Sequence, residues 1–371
     1  MIPVCEPFLN GNELEYVKEA VASTWISSGG KYIKDFEQKF PAYIGVKNAT
    51  LTTSGTTALH LALKAIGVGA GDEVIIPAFT MIACAFSVCH CGAKPVFVDC
   101  DRVTWNMNPA LIEEKITPRT KALMPVHIYG HPCDMDPIMA IAKKHNLIVI
   151  EDAAEAMGSL YKGKKCGALG DIACFSFFAN KMITCGEGGA VITSNQAFFD
   201  KCRYFKNLCF PLDKPRVFQH NDIGFNYRLT NVAAAILLAQ LEKADTYIAL
   251  RREHAKQYNQ RLKDVKGITL PCEKKWALNS YWMYSILIED DFGMNRDQLA
   301  QQLKDAGIDT RPFFISMHRQ KSLKDFGCDC SGRYPLTDEI AQRGLYLPSG
   351  SGLKLEQIDF ICDTIRKIKG S

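Results

Sequence analysis

The sequence lacks any apolar run long enough to cross a membrane, because no window approaches the about 18 uninterrupted apolar residues that such a span requires. Its first residues, MIPVCEP, also lack the basic stretch and apolar run that mark a secretory signal. We therefore expect no membrane partner and a cytoplasmic location.

An excess of charge of one sign is also missing. The 44 basic residues nearly cancel the 40 acidic ones, and the formal net charge is +4 over 371 residues. A nucleic-acid groove requires basic residues concentrated on one surface, whereas here they are scattered along the chain. We expect no nucleic-acid partner, although a local basic pocket for phosphates stays open.

The 15 cysteines include no Cys-x-x-Cys pair, so the spacing of a zinc knuckle is missing. The segments 89–91 (CHC) and 328–330 (CDC) place their cysteines only two residues apart. The other cysteines stand singly, many of them in apolar segments where a thiol behaves as a small hydrophobe. We expect reduced thiols and no metal site.

Strand and helix patterns alternate between residues 45 and 195, and 47% of all residues are apolar. Short β-branched runs separated by helical segments predict a mostly parallel sheet with helices on both faces. Helices are expected at 57–66 and 137–145, and Gly67 ends the first of them. The predicted strands are 50–53, 73–76, 95–98, 122–126, 147–151, 173–177 and 190–193.

The last third of the chain has a different pattern. A long amphipathic stretch runs from residue 230 to about 262, followed by a strand at 281–288 and helices at 295–306 and 355–368. We expect a large domain over residues 1–228 and, over 229–371, a long helix with a smaller α+β domain. Residues 208–222, with two prolines, are expected to form a long loop.

Small and hydroxyl-bearing residues follow the first predicted strand at 54–58 (SGTTA) and lead directly into a helix. In an open parallel sheet ligands gather beyond the carboxyl ends of the strands. Backbone N–H groups at a helix start bind anions, so this turn fits a phosphate. Serine and threonine are also favoured as plain helix caps, and the turn alone does not separate the two interpretations.

Acidic residues end the fifth predicted strand at 151–155 (EDAAE). A buried carboxylate requires a cation or strong donors, because desolvation otherwise drives it to the neutral form. A protonated pyridine nitrogen, ribose hydroxyls or a metal would each meet that need, and so would the N–H groups at the start of a helix.

Lys181 provides the strongest chemical signal of the sequence. It lies in the string 175–189 (FSFFANKMITCGEGG), between apolar residues and a glycine-rich turn. Lysines are seldom buried, and burial lowers the pKa so that a neutral, nucleophilic amine becomes available. We interpret Lys181 as a lysine that forms a Schiff base with a carbonyl group.

A fourth polar group, residues 221–228 (NDIGFNYR), precedes the long amphipathic stretch. It is either a cap and turn or a contact to a phosphate. Together the four segments provide a phosphate cradle, a carboxylate for a ring nitrogen and a lysine for an aldehyde, in that chain order.

Across essentially its whole length the chain resembles the DegT-type nucleotide-sugar aminotransferases, a branch of the fold-type I pyridoxal 5′-phosphate (PLP) enzymes related to aspartate aminotransferase. The segments 23–28 (STWISS), 126–135 (VHIYGHPCDM) and 175–189 carry this resemblance. It implies an α/β fold like that of aspartate aminotransferase, with a seven-stranded, mostly parallel sheet, and a homodimer with shared active sites. It also implies PLP as cofactor, L-glutamate as amino donor and a nucleotide-linked 4-keto-6-deoxy sugar as acceptor.

The same segments are most similar to the members that convert GDP-4-keto-6-deoxy-D-mannose to GDP-perosamine, and dTDP- or UDP-linked sugars are the alternative acceptors. The resemblance implies that Lys181 bonds to the cofactor aldehyde and that Asp152 pairs with its ring nitrogen. Glu155 would lie near the ring hydroxyl, and Met81 would pack on the ring where many relatives have an aromatic residue. The phosphate would be held by Ser54, Gly55, Thr56, Thr57 and Ser176, and Asn226 would reach the phosphate of the neighbouring subunit's cofactor.

The family pattern also suggests residues that contact the substrate, and each of them has a plain structural alternative. Trp25 is equally compatible with a core position, His127 with a satisfied buried imidazole, and Arg311 with a solvated charge. The full set of substrate candidates is Trp25, Ser27, His127, Tyr129, Arg228, Arg311 and His318.

Other functions are disfavoured by particular residues. Related sugar 3-dehydratases replace the lysine at position 181 by histidine. A nicotinamide-dependent oxidoreductase would need its glycine motif after a strand, whereas 67–71 (GVGAG) follows a helix and 161–165 (YKGKK) reads as a polar turn. A non-catalytic binding protein would not need the lysine, the acid and the cradle together.

Overall fold

The computed structural model describes residues 1–212, 215 and 218–370. Within these residues, strands and helical segments alternate from the first sheet strand to residue 152, as the sequence pattern predicts, and four further strands then follow before the next helix begins at residue 196. The strands are β1 (Asn48–Thr52), β2 (Glu73–Pro77), β3 (Lys94–Val98), β4 (Thr120–Leu123), β5 (Ile148–Asp152), β6 (Leu160–Tyr161), β7 (Lys164–Lys165), β8 (Ile172–Ser176), β9 (Gly189–Thr193), β10 (Ile268–Thr269), β11 (Ala277–Leu278), β12 (Tyr284–Ile288), β13 (Arg311–Pro312) and β14 (Gly344–Leu347).

Along the described chain, α-helices are found before the first strand, between later strands and after the last strand. They are α1 (Glu13–Ala22), α2 (Lys31–Ile44), α3 (Gly55–Ala65), α4 (Ala83–His90), α5 (Met135–His145), α6 (Gln196–Lys206), α7 (Asn231–Glu242), α8 (Ala244–Leu262), α9 (Arg296–Asp305), α10 (Lys321–Asp325), α11 (Pro335–Arg343) and α12 (Leu355–Gly370).

Seven strands form one sheet in the order β1-β9-β8-β5-β4-β2-β3. The pairs β2–β3, β2–β4, β4–β5 and β5–β8 are parallel, and only β9 runs against its two neighbours. All seven predicted strands are therefore confirmed, as is the mostly parallel α/β fold. The register aligns Gly189 with both Thr52 and Ser176, which brings the ends of β1 and β8 to the same edge of the sheet.

The amphipathic stretch after residue 230 is divided in two, where the sequence suggested one long helix. The backbone of Lys243 leaves helical geometry between α7 and α8, at φ −109° and ψ 3°. The division reflects two packing partners, because α7 packs on α1 and α2 while α8 packs on α12. A chain that must bury its apolar positions against two different cores bends between them.

A second sheet, in the order β10-β12-β14-β13, is antiparallel throughout. Its core contains fully buried apolar side chains from α9 and α12, among them Leu299, Leu303, Ile361 and Ile365. The sheet, with its covering helices, has the character of the smaller α+β unit expected from the sequence. The boundary at residue 228 stays a prediction, and α7 contributes Leu237 to the core beside the large sheet.

The two motifs that resembled nicotinamide-binding sequences are turns. Gly67 and Gly71 follow α3 and precede β2 with positive φ, so the glycine motif does not begin after a strand. Residues 161–165 form the short β6–β7 hairpin, whose turn residues Lys162 and Gly163 have positive φ. Both observations agree with the interpretation from sequence.

No helix within the described ranges is both long and apolar enough to span a membrane. Over the same ranges no group of three or more His, Cys, Asp or Glu side chains is placed to hold a metal ion. All 15 cysteines are free thiols, and 12 of them are buried.

Candidate active site

A cavity of about 390 Å³ opens at the carboxyl ends of β1, β5 and β8. This is the edge of a parallel sheet at which ligands usually bind. Three of the four polar segments singled out in the sequence meet in its wall. The predicted cofactor residues that line it are Ser54, Gly55, Thr56, Met81, Asp152, Glu155, Ser176 and Lys181.

The start of α3 forms an anion cradle on one side of the cavity. Ser54 caps this helix, because its hydroxyl accepts from the Thr57 amide at 3.2 Å and the Thr57 hydroxyl accepts from the Ser54 amide at 3.0 Å. The Thr57 amide, which the resemblance assigns to a phosphate, is thus used in the cap. In the described chain the amides of Gly55 and Thr56 donate to no protein acceptor and remain available to an anion.

Ser176 approaches the cradle from the end of β8. A Cβ atom placed on Gly55 would lie 2.7 Å from the Cβ atom of Ser176, closer than real Cβ contacts. Glycine at position 55 is therefore what lets the helix start and the Ser176 hydroxyl converge. Two free backbone donors and one hydroxyl are a donor set suited to a phosphate.

Asp152, at the end of β5, is a buried carboxylate with neutral donors only. It is 5% exposed, accepts from the Cys84 thiol at 3.0 Å on Oδ2, and accepts from the Ala154 amide at 3.0 Å on Oδ1. No Lys, Arg or His of the described residues forms an ion pair with it. A buried carboxylate with this environment fits a ligand that brings its own positive charge, such as a protonated pyridine nitrogen.

Lys181 extends into the same cavity with its side chain only 12% exposed. Its Nζ lies 4.0 Å from Oε1 of Glu155 and 3.6 Å from the centre of the Trp282 ring. Burial lowers the pKa of the Lys181 amine, and the nearby charges of Glu155 and Asp152 partly oppose this effect. The fold therefore favours the neutral amine that attacks an aldehyde.

Glu155 is the acid that faces this lysine. Burial raises its pKa to about 7, while the charge of Lys181 and a hydrogen bond from the Tyr129 amide, 2.7 Å from Oε2, act in the opposite direction. Its carboxyl group thus changes protonation close to neutral pH, next to the amine.

Several cavity residues were not identified from the sequence. Asn180 and Glu187 flank Lys181 in the string 175–189, so their proximity could have been inferred from it. The aromatic residues Trp282, Phe314 and Tyr346 come from the region of the second sheet and gave no local signal. The complete set of missed polar and aromatic lining residues is Thr80, Phe178, Asn180, Glu187, Trp282, Phe314 and Tyr346.

His127 and Tyr129, two of the predicted substrate residues, are buried and lie outside the cavity lining. The His127 imidazole is fully buried, donates from Nε2 to Glu151 at 3.0 Å and accepts on Nδ1 from the Cys133 amide at 3.0 Å. The plain structural alternative therefore accounts for this residue. Tyr129 packs among aromatic rings, including Phe313 and Trp282.

The other substrate candidates and Asn226 also lie outside the wall of this cavity. Trp25 is 64% exposed, which excludes a core position within the single chain, and Ser27, Asn226 and Arg311 are exposed as well. His318 is mostly buried, with Nε2 3.4 Å from Asp338. Arg228 donates to Asn207 at 3.0 Å.

The DegT/DnrJ/EryC1/StrS aminotransferase family model matches residues 7–366 of this chain. The chain belongs to this family. It is 46% identical over 366 residues to GDP-perosamine synthase of Escherichia coli O157:H7, covering 99% of this chain and 98% of that protein. It is 45% identical over 368 residues to GDP-perosamine synthase of Caulobacter vibrioides, with the same coverage. The structure of sugar aminotransferase Spr1654 from Streptococcus pneumoniae in its PLP form superimposes with a TM-score of 0.92 at 26% identity, covering 100% of this chain and 98% of the other.

The family member described here is a PLP-dependent aminotransferase. The residues of the cavity fit that cofactor: the cradle at the start of α3 matches its phosphate, Asp152 matches its ring nitrogen, and Lys181 matches its aldehyde. Among the residues that the structure describes, Asp152 has two neutral donors and no ion-pair partner, and this is the most specific sign of the fit.

Proposed function

We propose that this enzyme transfers the amino group of L-glutamate to the C4 ketone of GDP-4-keto-6-deoxy-D-mannose and so forms GDP-perosamine. The proposal is supported by three relatives named GDP-perosamine synthase, at 40–46% identity over 99% of this chain. The single structural observation that carries it is the buried Lys181 amine beside Asp152 and the cradle of α3.

Each cavity residue has a distinct task in this proposal. The free amides of Gly55 and Thr56 and the Ser176 hydroxyl hold the cofactor phosphate. Asp152 keeps the ring nitrogen protonated, and the Cys84 thiol and Ala154 amide hold its two carboxylate oxygens in place.

PLP supplies an electron sink and carries the amino group from donor to acceptor. Lys181 would take a proton from the α-carbon of glutamate and later deliver one to C4 of the sugar, because burial lowers its pKa and so makes the neutral amine available as a base and its ammonium form a stronger acid. Met81, which lines the cavity and is 45% exposed, would pack beside the ring of the cofactor.

The substrate contacts are part of a proposed homodimer. Trp25, Ser27, Asn226 and Arg311 are exposed in the single chain, and so are large apolar side chains such as Phe178, at 44%, and Ile223, at 88%. A second copy would cover these side chains and let Asn226 reach the neighbouring cofactor phosphate. We place this dimer in the cytoplasm, where the 15 free thiols would stay reduced.

The substrate assignment is tested by supplying the PLP-loaded enzyme and glutamate with GDP-, dTDP- and UDP-linked 4-keto-6-deoxy sugars. We expect amino-sugar formation with the GDP sugar at a kcat/KM at least about tenfold above the others, the factor that 1.4 kcal/mol of differential binding gives. Turnover of the dTDP or UDP sugars alone would contradict the proposed acceptor while leaving aminotransfer intact.

An Asp152→Asn variant loses the negative charge but keeps the shape of the side chain. Its kcat should be about 10²–10³-fold lower with every sugar.

A further inference from the structure

Trp282 lies in the wall of the active-site cavity, and the proposed reaction gives it no role. It precedes β12, is 4% exposed and lines the cavity together with Lys181. Its ring centre lies 3.6 Å from the Lys181 Nζ, within the distance at which an ammonium group is attracted to the face of an indole.

A second contact joins the same two segments. The indole Nε1 of Trp282 donates to the backbone oxygen of Asn180 at 2.9 Å, so the ring holds the peptide that immediately precedes Lys181. One side chain thus touches both the amine that reacts and the backbone that carries it.

Trp282 is itself held firmly. Its backbone oxygen accepts from the guanidinium of Arg251, which is 3% exposed on α8 and also donates to Ser351 at 3.1 Å. Its ring lies against that of Tyr129 with an interplanar angle of 24°. A tryptophan fixed from the side of the second sheet can therefore act as a rigid support for the flexible lysine side chain.

We propose that Trp282 is a positioning residue for Lys181: its indole N–H fixes the 180–181 peptide, and its ring face supports the amine whenever that amine is not bonded to the cofactor. This inference rests on the proposed role of Lys181 as the residue that bonds to PLP. It adds that the protonated amine is stabilised from two sides, by the carboxylate of Glu155 and by the ring of Trp282.

The charged and titratable groups around the amine come from several elements. Glu155 and Asp152 follow or end β5 and favour the ammonium form, as does Cys84 from α4, whereas Arg251 from α8 disfavours it. Glu187 and Tyr346 complete the titratable lining of the cavity. Trp282 carries no charge, so its substitution changes the protonation of Lys181 without adding or removing a titrating group.

The test follows the covalent attachment of PLP to the cofactor-free enzyme, because only the neutral amine attacks the aldehyde. The rate at which the visible absorption band appears is measured from pH 5 to pH 10. The midpoint of this rate profile against pH reports the protonation of the Lys181 amine. The measurement needs neither glutamate nor a sugar. A Lys181→Ala variant must show no attachment, and attachment in that variant would overturn the role of Lys181 rather than that of Trp282.

Two substitutions separate the two contacts. Trp282→Leu removes the ring face and should move the midpoint to lower pH by up to about one unit. A desolvated cation–π contact stabilises the ammonium form by about 1–2 kcal/mol, which corresponds to about one pKa unit. Trp282→Phe keeps a weaker aromatic face but loses the N–H, so its midpoint should move less, while kcat should fall about tenfold, in line with one lost hydrogen bond. A Trp276→Phe variant, altered where a ring packs on Tyr161, serves as the control.

Fluorinated tryptophan makes the test independent of folding, because fluorine weakens the attraction of the ring for cations while leaving its shape almost unchanged. The midpoint should decrease progressively with the number of fluorine atoms in the natural chain. In the Trp282→Phe variant the midpoint should stay constant when its three remaining tryptophans are replaced by the same fluorinated residues. Unchanged midpoints in Trp282→Leu and in the fluorinated enzyme would overturn the proposal and leave Trp282 as a packing residue.

Discussion

Burial affects the two ionisable groups at the centre of the site in opposite directions. It lowers the pKa of the Lys181 amine and raises the pKa of Glu155 to about 7, because in each case the charged form loses its hydration. The attraction between the two groups across 4.0 Å opposes both shifts. The protonation of the amine therefore depends on a carboxyl group that itself titrates near neutral pH.

Replacing Glu155 with glutamine tests this dependence. The charged carboxylate favours the ammonium form of Lys181, so its loss should lower the pKa of the amine and make PLP attachment faster than in the natural enzyme above pH 7, where Glu155 is charged. Below pH 7 Glu155 takes up a proton itself, and the difference between the two proteins should shrink. Glutamine can still accept from the Tyr129 amide, so the local geometry is retained. The pH profile of the attachment rate measures the effect, and an unchanged or more alkaline midpoint would show that Glu155 does not act on Lys181 through its charge.

At the scale of single elements, the site depends on how closely α3 approaches β8. The helix begins immediately after β1, and β9 pairs with both β1 and β8, so the cap of α3 and the end of β8 are held side by side. The absence of a side chain at Gly55 permits the contact with Ser176. The anion cradle is thus a property of strand register and helix start together.

A Gly55→Ala variant should therefore lose affinity for PLP. The added Cβ would have to move Ser176 or the helix start by several tenths of an ångström, and overpacking of this kind costs about 1–3 kcal/mol. If that cost falls on the bound state, the dissociation constant for PLP rises about 5–150-fold, which a fluorescence or absorbance titration would measure. Gly69→Ala is the matched control, because nothing lies within 4 Å of its added Cβ. Equal PLP affinities in the two variants would contradict the cradle.

At the scale of the whole molecule, the cavity is assembled from both sheets. The large sheet contributes the phosphate cradle, Asp152 and Lys181, whereas Trp282, Phe314 and Tyr346 come from segments beside the second sheet. The Met317 amide donates to the Ala78 oxygen at 2.9 Å and ties this part of the chain to the end of β2. Changes in the packing of the two sheets are therefore expected to alter the environment of the lysine.

His131 provides a pH test of how the two parts of the chain are joined. Its ring is 3% exposed, donates to the Pro132 oxygen at 2.8 Å and accepts from the Lys274 amide at 3.2 Å, so the fold holds it neutral. Burial lowers its pKa from 6.5 to about 4. Between these values the unfolded chain binds a proton that the folded chain does not, and stability falls as the pH decreases from 6.5 towards 4.

The free energy of unfolding in urea is measured at pH 7 and at pH 5 for the natural enzyme and for the His131→Gln variant. The natural enzyme should lose about 1–2 kcal/mol more stability over this interval than the variant, because one titrating group has been removed. His60 and Glu155 are present in both proteins, so their opposite contributions cancel in the difference. Identical losses would show that His131 is not buried in its neutral form.

Local signals in the sequence determined the strands, most of the helices and the chemistry of the central residues. Alternating periodicity was sufficient for the strands of the large sheet, and the strings around Asp152 and Lys181 were sufficient to indicate a buried acid and a reactive lysine, because both depend on neighbouring residues in the chain. PLP itself was implied by the resemblance to known aminotransferases. Most of the residues assigned to the cofactor meet in one cavity, whereas the Thr57 amide is used in a helix cap and Asn226 lies outside the cavity wall. The roles of the individual residues stay predictions until the variants are measured.

Only the tertiary structure decided what surrounds the lysine and which polar side chains are buried. Trp282 is 101 residues from Lys181 in the chain, and His127 is satisfied by Glu151 across 24 residues, so no local pattern could report either contact. The break at Lys243 likewise follows from packing against two cores and not from helix propensity. Local propensity depends on residues that are adjacent in the chain, whereas burial and charge environment depend on residues that become neighbours only after folding.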